Sequence, residues 1–150
     1  MSDADARRHI PTGYVLVVST ATDVRIEDVL IGEFFIDGSI DGGGVLTFEI
    51  QAEDPDDGSR SFVRGKVLFD LVMRHFGAGV TAIRGYWTPG STNLAIFNKL
   101  TAAGLSREQA ACGTWTGEQA DRYGFKTATK VQTLGAGPGY YGLAEFLFTR

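Results

Sequence analysis

Arg84, Trp87, Ser91, Asn93, Asn98, Thr114, Thr116 and Tyr140 are the residues of this 150-residue chain whose types and placing suit chemistry. They bring a guanidinium, three aliphatic hydroxyls, a phenol, two carboxamides and an indole to strand ends and helix starts, where convergent polar groups line pockets. Arg84, Ser91, Asn93, Thr116 and Tyr140 are the candidates to act on a substrate, and Trp87, Asn98 and Thr114 the candidates to bind one. Each also has an ordinary folding role: Ser91 and Thr116 as helix N-caps, Asn93 as first-turn polarity, Trp87 as core and Tyr140 as a strand aromatic.

Other chemistries find little footing. His9 lies in a polar leader and His75 at the end of an amphipathic helix, where a cation meets the helix dipole; neither has a carboxylate or cysteine at ligand spacing, and no metal is indicated. The acidic stretch Asp54-Pro55-Asp56-Asp57-Gly58 lacks the ligand spacing of a calcium loop and reads as a solvated turn. Cys112 has no adjacent base and reads as a buried structural thiol. Gly135-Ala136-Gly137-Pro138-Gly139 would cradle phosphate only if it led into a helix, but it lies between two strand patterns. No Gly-x-Ser-x-Gly elbow occurs, and no cofactor is indicated.

The elements that must position the eight residues follow from periodicity. Tyr14–Val18, Val29–Ile36 and Val45–Ile50 are rich in β-branched and aromatic residues and are separated by turn chemistry such as Asp37-Gly38 and Asp41-Gly42-Gly43-Gly44, which predicts a three-strand antiparallel meander. From Gly65 to Phe76, apolar residues at three- and four-residue spacing predict a helix ended by Gly77 or Gly79, followed by a strand over Val80–Trp87. Ser91 opens a helix whose inward residues are Leu94, Phe97 and Leu100 and which Gly104 closes. The capping boxes Ser106/Gln109 and Thr116/Gln119 predict short helices near 107–113 and 117–123. Lys126–Leu134 alternates and Tyr140–Phe148 is aromatic and aliphatic, a pair that predicts a C-terminal hairpin. The expected fold class is α+β, a mainly antiparallel sheet covered by one longer and several short helices, as a single domain over 14–150 behind a flexible leader over 1–13.

Composition bounds function further. With 43% hydrophobic residues and 21% charged the chain is globular, and its 20 glycines imply many turns and short strands. A net charge of -4 argues against general electrostatic capture of nucleic acid, although Arg84, Lys99, Lys126 and Lys130 could form a local set of phosphate contacts. One cysteine cannot make an internal disulfide. The first residues lack an apolar signal core and no run is long enough to span a bilayer, so the expected location is cytoplasmic with no membrane partner, while export within a larger system stays open.

The order Gly85-Tyr86-Trp87, Ser91-Thr92-Asn93-Leu94, Phe97-Asn98, Gly104-Leu105-Ser106, Thr114-Trp115-Thr116-Gly117, Gly124-Phe125 and Pro138-Gly139-Tyr140, closed by an aromatic strand, resembles the C-terminal effector domains of bacterial polymorphic toxins of the Rhs and contact-dependent-inhibition kind. The resemblance covers about residues 80–150, and it departs at Thr92, where the pattern has an aspartate. It implies a toxin-like effector, a metal-independent ribonuclease in which Arg84, Ser91, Asn93, Thr114, Thr116 and Tyr140 position a 2′-hydroxyl and stabilise the phosphorane. It also implies an RNA or small-molecule substrate and an immunity or other protein partner. The alternatives are a non-enzymatic module that binds a small molecule or protein beside Trp87, or a homo-oligomeric assembly protein built on exposed strand edges.

Overall fold

A computed structural model of the chain describes residues 14–20, 23–28, 34–50 and 65–150, with side chains described over 38–48 and 69–150. The leader over 1–13, the first half of the strand expected from Val29 and the acidic turn at Asp54–Gly58 lie outside the described residues. The chain forms two compact units, Met1–Val80 and Thr81–Arg150. Its class is α+β, and every strand pairing described within the units is antiparallel.

In the first unit the meander has four strands, β1 (Tyr14–Thr20), β2 (Asp23–Asp28), β3 (Phe34–Ile40) and β4 (Val45–Ile50), one more than the sequence pattern suggested. The additional strand is β2, whose Val24 and Ile26 alternate with Asp23, Arg25 and Glu27, a period of two carried by only two apolar residues. Asp37-Gly38 does not turn; both residues pair within β3, against Glu49 and Phe48. The turn is one step on, where the Asp41 carboxylate accepts the N–H groups of Gly43 at 2.8 Å and Val45 at 3.0 Å. Helix α1 (Gly65–Phe76) packs on this meander: Phe69 stacks on Phe48 with ring centroids 4.1 Å apart, and Val72 fills the space over Gly38.

The second unit carries β5 (Ala82–Trp87), α2 (Thr92–Ala102), α3 (Arg107–Cys112), α4 (Trp115–Arg122), β6 (Thr127–Gly135) and β7 (Tyr141–Thr149). Strand β7 is the middle strand, paired to β5 on one side and β6 on the other. Alternation divides the sheet into two faces. Ile83, Gly85 and Trp87 share one face with Phe148, Phe146 and Ala144, and there Trp87 meets Phe97 of α2. Trp87, Phe97, Phe146 and Phe148 make a buried aromatic core with centroid separations of 5.5 to 6.3 Å. Arg84 and Tyr86 lie on the other face.

Two local expectations change in this unit. Helix α4 is capped by Thr114, whose Oγ1 accepts the Gly117 N–H at 3.1 Å, and Thr116 falls inside the first turn. The alternation of β6 breaks at Val131, a bulge that leaves Lys130 opposite Phe146 and brings Gln132 opposite Glu145 on the Arg84 face. Among the described residues, no helix is long and apolar enough to cross a membrane.

At Gly85 the backbone passes close against the core, and a Cβ there would sit 2.5 Å from the Trp87 ring. Gly85→Ala is expected to lower stability by about 1–3 kcal/mol through overpacking, measured by urea unfolding followed by tryptophan fluorescence.

Candidate functional site

Two carboxamides of α2 organise the corner where β5 turns into that helix. Asn93 donates from Nδ2 to Thr116 Oγ1 at 2.9 Å and accepts the Thr116 N–H at 3.2 Å, so it joins the first turn of α2 to the first turn of α4. Asn98, farther along α2, donates to the Tyr141 carbonyl at 2.9 Å and accepts the Tyr141 N–H at 2.7 Å, which pins the start of β7. Each side chain uses donor and acceptor together against one partner residue. Thr116 is buried, so its bonds to Asn93 replace solvent that cannot reach it.

The other hydroxyls serve caps. Ser91 Oγ accepts the Leu94 N–H at 3.4 Å at the start of α2. Thr114 Oγ1 is fully buried and, besides capping α4, donates to the Ala111 carbonyl at 2.7 Å, which ties the end of α3 to the start of α4. Trp87 is core. Tyr140, in contrast, is 78% exposed.

Arg84 does not join this group, since it occupies the sheet face opposite Trp87 and α2. Its guanidinium forms an ion pair with Glu145 and lies 5.1 Å from the centroid of the Tyr86 ring. The second oxygen of Glu145 accepts from Gln132 Nε2 at 2.8 Å, so one buried carboxylate links β5, β7 and β6. Neither Glu145 nor Gln132 was singled out from the sequence. The available signal was that Arg84 is the sole charge in its strand and Glu145 the sole charge in β7, opposite in sign. Of the four cations expected to meet phosphate, Arg84 is thus paired to a carboxylate, Lys130 stands on the other face of the sheet, Lys126 shares a hollow with Glu118 and Asp121, and Lys99 is exposed in the last turn of α2.

Beside the asparagine brackets is an open cleft of about 450 Å³, lined by the Pro89–Thr92 turn, by Leu94, Ala95 and Asn98 of α2, and by Tyr141. Ser91 and Asn98 were expected at a site; the apolar lining came to light only once α2 was set against β7. The smaller hollow near Lys126 holds Cys112, whose thiol lies 3.7 Å from the Lys126 carbonyl. Burial pushes this thiol above its usual range, and Asp121 adds to the effect against an opposing hydrogen bond from the Ala128 N–H. With Arg107 bonded to Thr133 at the other end, α3 runs along β6. Among the described residues no group of His, Cys, Asp and Glu is arranged to hold a metal ion. No protein-family model, curated protein or solved structure matches this chain.

Asn98→Ala removes both bonds to Tyr141, and a stability loss of about 1–3 kcal/mol is expected together with faster hydrogen exchange at the Tyr141 amide. The Cys112 thiol is held neutral in the fold, so its contribution is intact below the usual thiol range and declines as pH rises through it. Alkylation of Cys112 at pH 8 should be slower in the folded chain than in urea, followed by mass spectrometry.

Proposed function

We propose that this chain is a non-catalytic binding module whose ligand seats in the cleft along α2. The observation that carries this reading is the paired use of Asn93 and Asn98, each with its donor and its acceptor committed to a neighbouring element. With one N–H and one oxygen lone pair of each carboxamide held by a folding partner, the placing of both side chains is explained by the fold without a substrate. What remains accessible is a cleft within the roughly 300–1,000 Å³ range of small-molecule sites, lined by Pro89, Leu94, Ala95 and Tyr141 together with the polar Ser91, Thr92 and Asn98.

The effector reading makes the opposite demand. A ribonuclease built on Arg84, Asn93, Thr116 and Tyr140 needs them to converge on one phosphate, with Arg84 free to meet its charge. Overexpression in a bacterial host separates the two readings. The binding module leaves growth and total RNA unchanged in the wild type and in Arg84→Ala alike, whereas RNA cleavage that disappears in Arg84→Ala would establish a nuclease. On the positive side, Ala95 is exposed in the cleft, and an indole there fills it. A fragment screen by ligand-observed NMR should find binders to the wild type that Ala95→Trp no longer holds.

A further inference from the structure

The cleft along α2 keeps hydrogen-bonding capacity beyond what the fold uses, and all of it is neutral. Ser91 Oγ accepts the Leu94 N–H but retains its own O–H, and Asn98 retains one N–H and one oxygen lone pair beyond its bonds to Tyr141. The Thr92 hydroxyl, at an exposed position, is uncommitted among the described residues. Each of these groups can give a hydrogen bond and take one, and the ligand group that answers such a partner is a hydroxyl, which also does both. No residue of the lining carries a formal charge, so an ionic ligand would leave water without a counter-charge.

The apolar part of the lining lies between the polar ends. Ser91, Ala95 and Asn98 follow one another at four- and three-residue steps and share one side of α2. Ala95 is small and exposed, so the middle of that side is a dip with a polar group at either end. At ~1.5 Å per residue Ser91 and Asn98 stand about 10 Å apart along the helix. A hydrogen bond of about 2.8 Å at each end leaves about 5 Å between the ligand atoms that make them, the separation of oxygens across a six-membered sugar ring. Tyr141 completes the lining, its ring set against Phe97 with centroids 5.2 Å apart and half-buried. The face of an aromatic ring is partially negative and attracts the partially positive C–H face of a saturated ring. Because the cleft is open, its occupant keeps one side in water, which favours a hydroxylated ring over an apolar one.

We propose that the cleft binds a neutral hexose in its pyranose form, the ring over Ala95 and against the Tyr141 side chain, with hydroxyls at its two ends bonded to Ser91 and Thr92 and to Asn98. Such a sugar has the three properties the lining selects: no charge, a C–H face for the tyrosine and a rim of groups that both donate and accept. A nucleobase could also stack on the tyrosine, but its ring nitrogens and carbonyls either donate or accept, and they match these groups at fewer points. The inference rests on the binding-module reading.

The test is to titrate the ¹⁵N-labelled full chain with glucose, galactose and mannose, and with two controls: sorbitol, which has the hydroxyls but no ring, and uridine. Saturable amide shifts at Ala95, Asn98 and Tyr141 are expected with at least one hexose and with neither control. Binding should weaken about tenfold or more in Ala95→Arg, which fills the dip, and in Tyr141→Leu, which removes the ring but keeps the main-chain bonds to Asn98. Ala95 is at an exposed position, so its variant carries the test even if Tyr141→Leu unfolds, and unchanged circular dichroism identifies each as folded. Any of three results would overturn the proposal: no shifts with any of the hexoses at high millimolar concentration, equal shifts with sorbitol or uridine, or hexose binding that Ala95→Arg retains in full. Fragment binding in the cleft alongside any of these would remove the sugar and leave the module reading standing, whereas loss of both would remove the module reading itself.

Discussion

The second unit depends on two asparagines that each close a pair of hydrogen bonds. Helix α2 buries Leu94, Phe97 and Thr101, a narrow inward set for eleven residues, and an apolar stripe alone specifies its rotation and depth loosely. Asn93 fixes its first turn to α4, and Asn98 fixes its middle to the start of β7. Because both partners are bound by donor and acceptor together, α2 cannot slide without breaking two bonds at once. The position of the cleft, the seat of the β6–β7 link and the packing of Phe97 on Trp87 follow from that placement.

The polar groups of the unit are sorted by sheet face. On the helix side they act as caps and brackets around an aromatic core; on the other, Glu145 collects Arg84 and Gln132 across three strands. A buried carboxylate needs partners for both oxygens, and β7, as the middle strand, can draw one from each neighbour. That arrangement holds Arg84 away from the hydroxyls and amides of the α2 corner. The separation follows from the period of two along β5, in which Arg84 and Trp87 stand three residues apart and point to opposite sides.

Much of the architecture was legible because it rests on local chemistry. The helix over Gly65–Phe76 is given by its apolar spacing, and the cap at Ser91, the box at Ser106/Gln109 and the left-handed Gly104 are written in adjacent residues. Strand β2 is written as Val24 and Ile26 alternating with three charges, but a period carried by only two apolar residues is a weak signal. Thr114 and Thr116 both satisfy the spacing of a cap, and their roles are decided by the burial of Thr114 against the Ala111 carbonyl, a tertiary fact. The candidate site was legible only as a list of types. Asn93 and Asn98 have the chemistry of a ligand site and of a structural bracket alike, and the partners that decide between them, Thr116 and Tyr141, lie 23 and 43 residues away.

The central claim is that these two carboxamides are structural, and it is most directly tested by the hydrogen exchange of their own side-chain NH₂ groups, resolved by NMR in the intact chain. One proton of each NH₂, that bonded to Thr116 Oγ1 in Asn93 and to the Tyr141 carbonyl in Asn98, is expected to be protected well beyond those of an exposed asparagine such as a model peptide contains. Exchange at the rate of that model peptide would show that the amides are free to meet a substrate, and would contradict the account.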